Sequence, residues 1–186
     1  MILKGKFVTL RPIEEEDIEF IRNMINDPWF ESMIVGWSFA ISKKEQKAWF
    51  DSFKNSSNQL RFIIQTEADG VVGFTGLKNI DWKNGTADGG GMRIAKRENM
   101  SRGIATDAYM TLLKYAFYEL RLNRINGSVL GYNPASIKAT SKVGFKQEGI
   151  MRQCVYKNGV YHDVILLGVL KSDYEQVVTD TDYWNK

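Results

Sequence analysis

Cysteine and histidine are almost absent from this sequence of 186 residues, which contains one of each, Cys154 and His162. A lone cysteine excludes a disulfide within the chain and a zinc site built from cysteines. No run of apolar residues approaches the roughly 20 that a membrane-spanning helix needs. No cluster of lysine and arginine is long enough for a nucleic-acid tail or a membrane patch. We therefore expect no structural metal, no membrane insertion and no nucleic-acid partner.

The charge balance is nearly even, with a net charge of +3, 25% charged residues and 44% hydrophobic residues. This composition is typical of a folded globular protein, and the length predicts a single domain over residues 1–186. The small positive excess slightly favours an anionic ligand. The first eleven residues lack the apolar core and cleavage site of a signal peptide, so we expect a cytoplasmic protein.

Helical and strand patterns are mixed along the chain, with a long loop expected at 29–39. Strands are predicted at 7–10, 61–66, 71–80, 86–95, 124–130, 151–156 and 161–169. A glycine run at 89–91 weakens the fourth of these and suggests a bulge, a close backbone approach or a plain loop. Helices are predicted at 14–25, 42–53, 101–120 and 134–142, and Ser42 with Glu45 has the form of a capping box at the start of the second. Turn residues at 67–70 and the pair Asn158-Gly159 predict two hairpins. This pattern predicts an α+β fold with a mixed, largely antiparallel sheet flanked by helices.

The segment 100–105 follows a predicted strand and opens the longest predicted helix. Gly103 would let the backbone approach a ligand closely, and the free amides of the first helical turn would bind phosphate oxygens. The alternative is that Gly103 and Ala105 only permit tight packing of the helix. The segment by itself does not decide between the two.

A second segment has all the signals of a short helix: Asn133 as the cap, Pro134 at the first position and Gly144 past the end. Ser136 then lies in the first turn, where a serine often hydrogen-bonds only to the backbone. Capping does not explain why a glycine-opened helix, a strand, this helix and an Asn-Gly hairpin follow one another in this order.

In this order of elements the sequence resembles the GNAT acetyltransferases, and within them the branch of the RimJ and RimL ribosomal-protein acetyltransferases. The resemblance covers nearly the whole chain and is carried by these motifs: Thr9-Leu10-Arg11-Pro12, Val72-Gly73-Phe74-Thr75-Gly76-Leu77, Arg102-Gly103-Ile104-Ala105, Asn133-Pro134-Ala135-Ser136, Lys142-Val143-Gly144-Phe145, Glu148-Gly149 and Asp163. It implies transfer of an acetyl group from acetyl-CoA to a primary amine, by direct attack in a ternary complex. No acyl-enzyme is then expected on Cys154, which we interpret as a small buried hydrophobic residue in a strand.

The resemblance also implies a coenzyme site. The family's Gln/Arg-x-x-Gly-x-Gly/Ala loop binds the pyrophosphate of acetyl-CoA through backbone amides. In this chain Met100 departs from the pattern, whereas Gly103 and Ala105 match it. The implied coenzyme-binding residues are Met100, Ser101, Arg102, Gly103, Ile104 and Ala105, together with Asn133, which would contact the pantetheine arm or only cap its helix.

Many members of the family place a tyrosine seven residues after the motif asparagine, where it protonates the leaving thiolate. Thr140 stands at that position here. In the RimJ/RimL branch a serine three residues after the asparagine is a proposed substitute, so Ser136 is the predicted acid. The general base could be Glu31, Glu148, Asp163 or His162, or a water molecule relayed by one of them, and the sequence does not choose among them. Glu148 is named as a candidate only, since Glu148 and Gly149 also fit a turn.

The acceptor stays open, because protein N-termini, polyamines and amino sugars all have relatives in this branch. The rings of Trp29, Phe30 and Trp37 would stack on a sugar, enclose a cation, or complete the core or a homodimer interface. Two other classes compete with an enzyme. A non-catalytic acyl-CoA-binding module would keep Gly103 but lack an acid and a base, and a nucleic-acid-binding protein would show steep salt dependence.

Overall fold

The computed structural model describes residues 1–36, 39–53, 56–89, 91–95 and 102–185. The predictions made for Trp37, Met100 and Ser101 lie outside these residues. The strands are β1 (Leu3–Lys4), β2 (Val8–Pro12), β3 (Leu60–Thr66), β4 (Gly70–Asp81), β5 (Thr86–Gly89), β6 (Arg93–Ile94), β7 (Arg124–Leu130), β8 (Lys146–Lys157) and β9 (Val160–Leu170). The α-helices are α1 (Ile18–Ile25), α2 (Pro28–Ser32), α3 (Lys43–Ser52), α4 (Ile104–Lys114), α5 (Pro134–Ser141) and α6 (Lys171–Thr181).

The strands form one sheet in the order β1-β2-β3-β4-β5-β7-β9-β8, and β6 pairs with β4 beside β5. Among the described pairings, β5 with β7 is parallel and the others are antiparallel. One core cluster joins the sheet to α4, and a second joins the opposite face to α1, α2 and α3. The predicted fold class, α+β with a largely antiparallel sheet flanked by helices, is confirmed.

Several local predictions are confirmed in detail. The Ser42 hydroxyl accepts from the Glu45 amide at 3.2 Å, and the Glu45 carboxylate accepts from the Ser42 amide at 2.8 Å, which makes the predicted capping box at the start of α3. Asn158 and Gly159 have φ values of 53° and 81° and join β8 to β9 as the predicted two-residue turn. The β3–β4 hairpin also forms as predicted.

The long loop predicted at 29–39 is wrong in its first part. Asp27 does not simply end α1, because its carboxylate accepts from the Trp29 amide at 2.8 Å and caps a second helix, α2, with Pro28 at its first position. The long helix predicted at 101–120 begins as α4 at Ile104 and changes at Tyr115–Glu119 into a π-helical turn.

Three further expectations are corrected near the sheet. The strand predicted at 86–95 is broken into β5 and β6 at the glycine run. Glu148 and Gly149, which resemble a turn in the sequence, lie inside β8, where a register shift occurs between Gln147 and Gly149. Cys154, expected to be buried, is exposed, because β8 is the edge strand and the register shifts again between Met151 and Val155.

A buried carboxylate joins the two ends of the described chain to α4. Asp107 is fully buried, and its oxygens accept from the backbone amides of Lys6, Phe7 and Val8 at 2.9 to 3.0 Å. They also accept from the Tyr183 hydroxyl at 2.8 Å. Because a buried charge is costly unless hydrogen bonds satisfy it, these four donors let the carboxylate hold the N-terminal strands against the helix.

We expect Asp107→Ala to lower the free energy of unfolding by about 3 kcal/mol or more, since it leaves buried amides without an acceptor. Urea unfolding followed by circular dichroism measures this change. Asp180→Ala, on the exposed face of α6, is the matched control and should stay within about 0.5 kcal/mol of wild type. Equal stability of the two variants would show that Asp107 does not hold the strands.

Candidate active site

Two neighbouring strands pair only briefly and then part. β5 and β7 are in register from Thr86 with Arg124 to Asp88 with Asn126. Beyond this point the chain after β5 pairs with β4 through β6, whereas β7 continues to Leu130 paired with β9. The glycine run stands where the strands part, and Gly91 has a φ of 86°. The sheet is therefore open between β6 and the second half of β7.

A cavity of about 170 Å³ occupies this opening. Gly89, Met92 and Arg93 line it on one side, and the β7 segment from Asn126 to Leu130 lines it on the other. Backbone groups of β7 that a neighbouring strand would pair with therefore face an open space. Such an edge suits an extended ligand that carries amide groups.

A second, larger cavity of about 560 Å³ adjoins the first. Its described lining includes the first residues of α4 and of α5, so the N-terminal ends of two helices face the same space. Helix N-termini present free amides and partial positive charge, and Lys138 and Lys142 add two cations to this lining. The cavity is suited to an anionic ligand such as a phosphate.

Gly103 shapes the entrance to α4. It is the N-cap residue with a φ of 84°, a conformation that glycine adopts without strain, and its carbonyl accepts from the Asp107 amide at 2.9 Å. The amides of Ile104, Ala105 and Thr106 precede that first helical bond and have no acceptor among the described residues. Gly103, Ile104 and Ala105 of the predicted loop all line the larger cavity.

Arg102 of the same loop is engaged elsewhere. Its guanidinium donates to the Asp69 carboxylate at 3.0 Å, in the turn between β3 and β4. This ion pair ties the loop before α4 to the sheet. Arg102 is not among the residues that line either cavity.

Side chains from the far side of the site hold α2 over the cavities. The last carbonyls of α2 accept in turn from three side chains: Glu31 from Lys157 at 2.9 Å, Ser32 from Tyr132, and Met33 from Asn133 at 2.9 Å. Met33 and Ile34, which follow directly, line both cavities. The covering segment is therefore fixed to β8 and to the turn that joins β7 to α5.

Asn133 has two roles in this arrangement. Its side-chain oxygen accepts from the Ser136 amide at 3.1 Å and caps α5, as the sequence predicts, while its side-chain nitrogen donates to Met33. Asn133 is buried and lines the larger cavity, so both of its polar ends are engaged within the protein.

Three hydroxyl groups lie near the junction of the two cavities. Ser136 and Tyr109 line both of them, and neither hydroxyl has a hydrogen-bond partner among the described residues. Thr140 lines the smaller cavity, but its hydroxyl is 2.9 Å from the Ser136 carbonyl and 3.0 Å from the Ile137 carbonyl. The structure thus brings Ser136 to the junction with a hydroxyl that is available to a ligand.

The sequence interpretation missed Tyr109. The signal was helical spacing, because Tyr109 follows Ala105 by four residues and therefore lies on the same face of α4 as the loop. Burial raises the pKa of its phenol, so the group keeps its proton at neutral pH.

The structure does not bring Glu148 together with Ser136. The Glu148 carboxylate pairs with the Arg124 guanidinium, and this hydrogen bond holds its pKa below the usual range. Glu148 is absent from the described lining of both cavities. A lowered pKa makes a carboxylate a weaker proton acceptor.

The alternative bases are also engaged with other groups. Glu31 pairs with the buried Lys157, and the Asp163 carboxylate accepts from the Gln153 amide at 2.8 Å. The His162 ring packs against Tyr132 with centroids 4.4 Å apart, and its Nε2 lies 3.2 Å from the Lys157 carbonyl. Among the described side chains, no group of three or more histidine, cysteine, aspartate or glutamate residues is placed to hold a metal ion.

Comparison with known proteins identifies the class to which this site belongs. The family profile described as "Acetyltransferase (GNAT) domain" matches residues 8–146, and the chain belongs to this family. It is 32% identical over 182 residues to the probable N-acetyltransferase YjcK of Bacillus subtilis, covering 94% of this chain and all of that protein. It is also 38% identical over 105 residues, 56% of each chain, to the putative ribosomal N-acetyltransferase YdaF of the same organism.

A solved structure gives the same answer for the fold. The crystal structure of spermidine N-acetyltransferase from Vibrio cholerae, in complex with CoA and spermine, matches with a TM-score of 0.83 at 25% identity. The match covers 92% of this chain and 99% of that one. Family, relatives and fold together make this protein an acetyl-CoA-dependent N-acetyltransferase rather than a non-catalytic binding module. In the part of the chain that the structure describes, no helix is long and apolar enough to cross a membrane.

We predict that Gly103→Trp removes most of the stabilisation that acetyl-CoA confers, because an indole at the start of α4 would cover its free amides. At about a hundred times its Kd, the coenzyme should raise the free energy of unfolding of the wild-type protein by about 2.7 kcal/mol. Thermal or urea unfolding with and without acetyl-CoA measures the difference.

Gly159→Trp is the matched control. Gly159 has nearly the same φ, 81°, and no atom lies near an added Cβ, so the two variants carry similar backbone strain. Gly159 is in the β8–β9 turn, and we expect Gly159→Trp to keep the full gain. If acetyl-CoA raised the free energy of unfolding equally in both variants, the coenzyme would not bind at the start of α4.

Proposed function

We propose that the protein acetylates a primary amine by direct attack of the amine on the thioester, with the two substrates in adjoining cavities. The observation that carries this proposal is that two residues line both cavities. Ser136 and Tyr109 border both the larger cavity at the ends of α4 and α5 and the smaller one between the parted strands. A reaction between two bound molecules requires such a meeting point.

The larger cavity is proposed to hold the pyrophosphate end of acetyl-CoA. Gly103, Ile104 and Ala105 would contribute backbone amides, and Lys138 and Lys142 would contribute charge. The roles predicted for Met100, Ser101 and Arg102 stay predictions. Asn133 would act on the coenzyme chiefly by capping α5 and fixing Met33.

The pantetheine arm is proposed to run from the larger cavity to the junction at Ser136 and Tyr109, where it pairs with the near part of the open β7 edge and leaves the rest of the smaller cavity to the acceptor. Backbone amides on either side of the opening could then donate to the thioester carbonyl, where negative charge develops as the amine attacks. This arrangement needs no nucleophile from the protein, in agreement with the exposed position of Cys154 on the edge strand β8.

Ser136 is proposed to protonate the leaving thiolate. Its hydroxyl is available, whereas the hydroxyl of Thr140 is bonded to two backbone carbonyls of its own helix. Tyr109 is the second hydroxyl that borders both cavities and is the natural alternative acid. The role of Glu148 as general base stays a prediction, and its ion pair with Arg124 argues that a water molecule takes the proton from the amine.

The identity of the acceptor, the branch of the GNAT family, the oligomeric state and the location in the cell are finer proposals. The partial match to the putative ribosomal acetyltransferase supports a RimJ/RimL-like branch, and the whole-chain match to a spermidine acetyltransferase supports small amines. Protein N-termini, polyamines and amino sugars are the three acceptor classes to be tested. Assembly as a homodimer and a cytoplasmic location stay predictions from the sequence.

Ser136→Ala should lower kcat by about 10²- to 10⁴-fold while leaving the affinity for acetyl-CoA unchanged, because it removes an interaction made mainly in the transition state. Steady-state kinetics and a binding titration with acetyl-CoA separate the two effects. Thr140→Val and Tyr109→Phe are the matched variants, each lacking one hydroxyl near the same junction. A normal rate in Ser136→Ala together with a slow Tyr109→Phe would transfer the acid role to Tyr109.

The activity itself is tested by incubating the protein with acetyl-CoA and a panel of amines while free thiol is detected as product. The panel contains a peptide with a free N-terminus, a polyamine and an amino sugar. We expect thiol release that depends on at least one amine, and we expect Cys154→Ala to keep it within about tenfold. An acetylated Cys154 peptide found by mass spectrometry would contradict direct transfer.

A further inference from the structure

An arginine without an acidic partner among the described residues lines the smaller cavity. Arg93 lies in β6, and its guanidinium is 5.0 Å from the ring centroid of Phe74, its register partner in β4. Phe74 belongs to the core cluster under α1, α2 and α3, so Arg93 is on the sheet face that these helices cover. Among the described residues, no carboxylate is within ion-pairing distance of Arg93.

A second arginine stands beside it. Arg61 of β3 is opposite Gly76 of β4, and its side chain contacts the position where a Cβ on Gly76 would point. Burial, and after it the positive charge of Arg61, lowers the pKa of Arg93 to about 10. The two cations therefore repel each other in an environment that water reaches poorly.

The other described charges of this cavity have the same sign. Lys78 is also in the lining, and no aspartate or glutamate is among its described residues. Burying a cation costs free energy unless an opposite charge or hydrogen bonds offset the loss of water. An anionic group entering the cavity would supply both, and the guanidinium fork matches carboxylate and phosphate oxygens.

We infer that the acceptor is a primary amine that also carries an anionic group, a carboxylate or a phosphate, which Arg93 binds while the amine reaches the junction at Ser136. Both residues line the same cavity of about 170 Å³, so one small molecule can contact both. A polyamine carries several positive charges, which Arg93 and Lys78 would repel. The described lining of this cavity offers it no carboxylate in compensation. The inference rests on the proposed acetyl transfer and names its substrate class.

The test compares amines that differ in charge and little else. β-Alanine is paired with β-alanine amide, and phosphoethanolamine with ethanolamine, while spermidine represents polycations. We expect the anionic member of at least one pair to have a kcat/KM about tenfold or more above its neutral partner, as a charge-assisted hydrogen bond implies. The pair that shows this difference in kcat/KM indicates whether the anionic group of the acceptor is a carboxylate or a phosphate.

Arg93→Gln should abolish this preference, so that the anionic and the neutral member of each pair react with similar kcat/KM. Arg93→Lys keeps the charge and should keep part of the preference, which guards against a folding defect in the first variant. Arg121→Gln, which removes an exposed charge just before β7, at the end away from the cavities, is the matched control and should behave as wild type.

Calorimetric titration of the same amines into the CoA-saturated protein gives a readout that does not need turnover. Anionic amines that bind through Arg93 without any thiol release would contradict the proposed function and support the binding site. Neutral amines or spermidine that bind and react as well as the anionic ones, or a preference that survives in Arg93→Gln, would overturn the inference.

Discussion

The separation of β7 from the strand beside it is the constraint on which the rest of the site depends. Three residues of each strand pair in parallel, and beyond Asp88 and Asn126 the two backbones lead to different neighbours. Unpaired backbone groups inside a protein are costly, so an opening of this kind persists only where a ligand or water can satisfy them. Gly89, Gly91, the smaller cavity and the half-buried Arg93 all lie along this opening.

The walls of the opening are held by polar groups that are fully used within the protein. Asp107 fixes the start of α4 to the N-terminal strands and to Tyr183. On the opposite side, Lys157, Tyr132 and Asn133 bind three successive carbonyls at the end of α2. Because these donors and acceptors are satisfied internally, the described groups left for ligands include the free amides of α4, the hydroxyls of Ser136 and Tyr109, and the charge of Arg93.

The candidate site was predictable where its parts are local. The glycine before α4, the asparagine cap of α5 and the serine in its first turn can be found in the sequence because helix ends depend on a few neighbouring residues. Glu148 illustrates the opposite case. Its sequence context resembles a turn, whereas its place in β8 and its pairing with Arg124 depend on a strand 24 residues away.

The missed helix α2 and the exposed Cys154 share a cause. Asp27 and Pro28 are signals both for ending one helix and for starting another, and long-range contacts such as the packing of Phe30 into the second core cluster favour the start. Cys154 lies in a strand pattern that would suit a core position, but β8 is placed at the edge of the sheet. Order in a sheet is a long-range property that no window of the sequence contains.

The sequence by itself determined the elements, the hairpins, the caps and the glycine-opened helix, because each of these depends on backbone geometry within a few residues. The tertiary structure decided which groups meet. It brought Ser136 and Tyr109 to one junction, bonded Thr140 to its own helix, and left Arg93 in a cavity without a described carboxylate. Those outcomes follow from desolvation and pairing between distant segments, which exist only once the sheet has assembled.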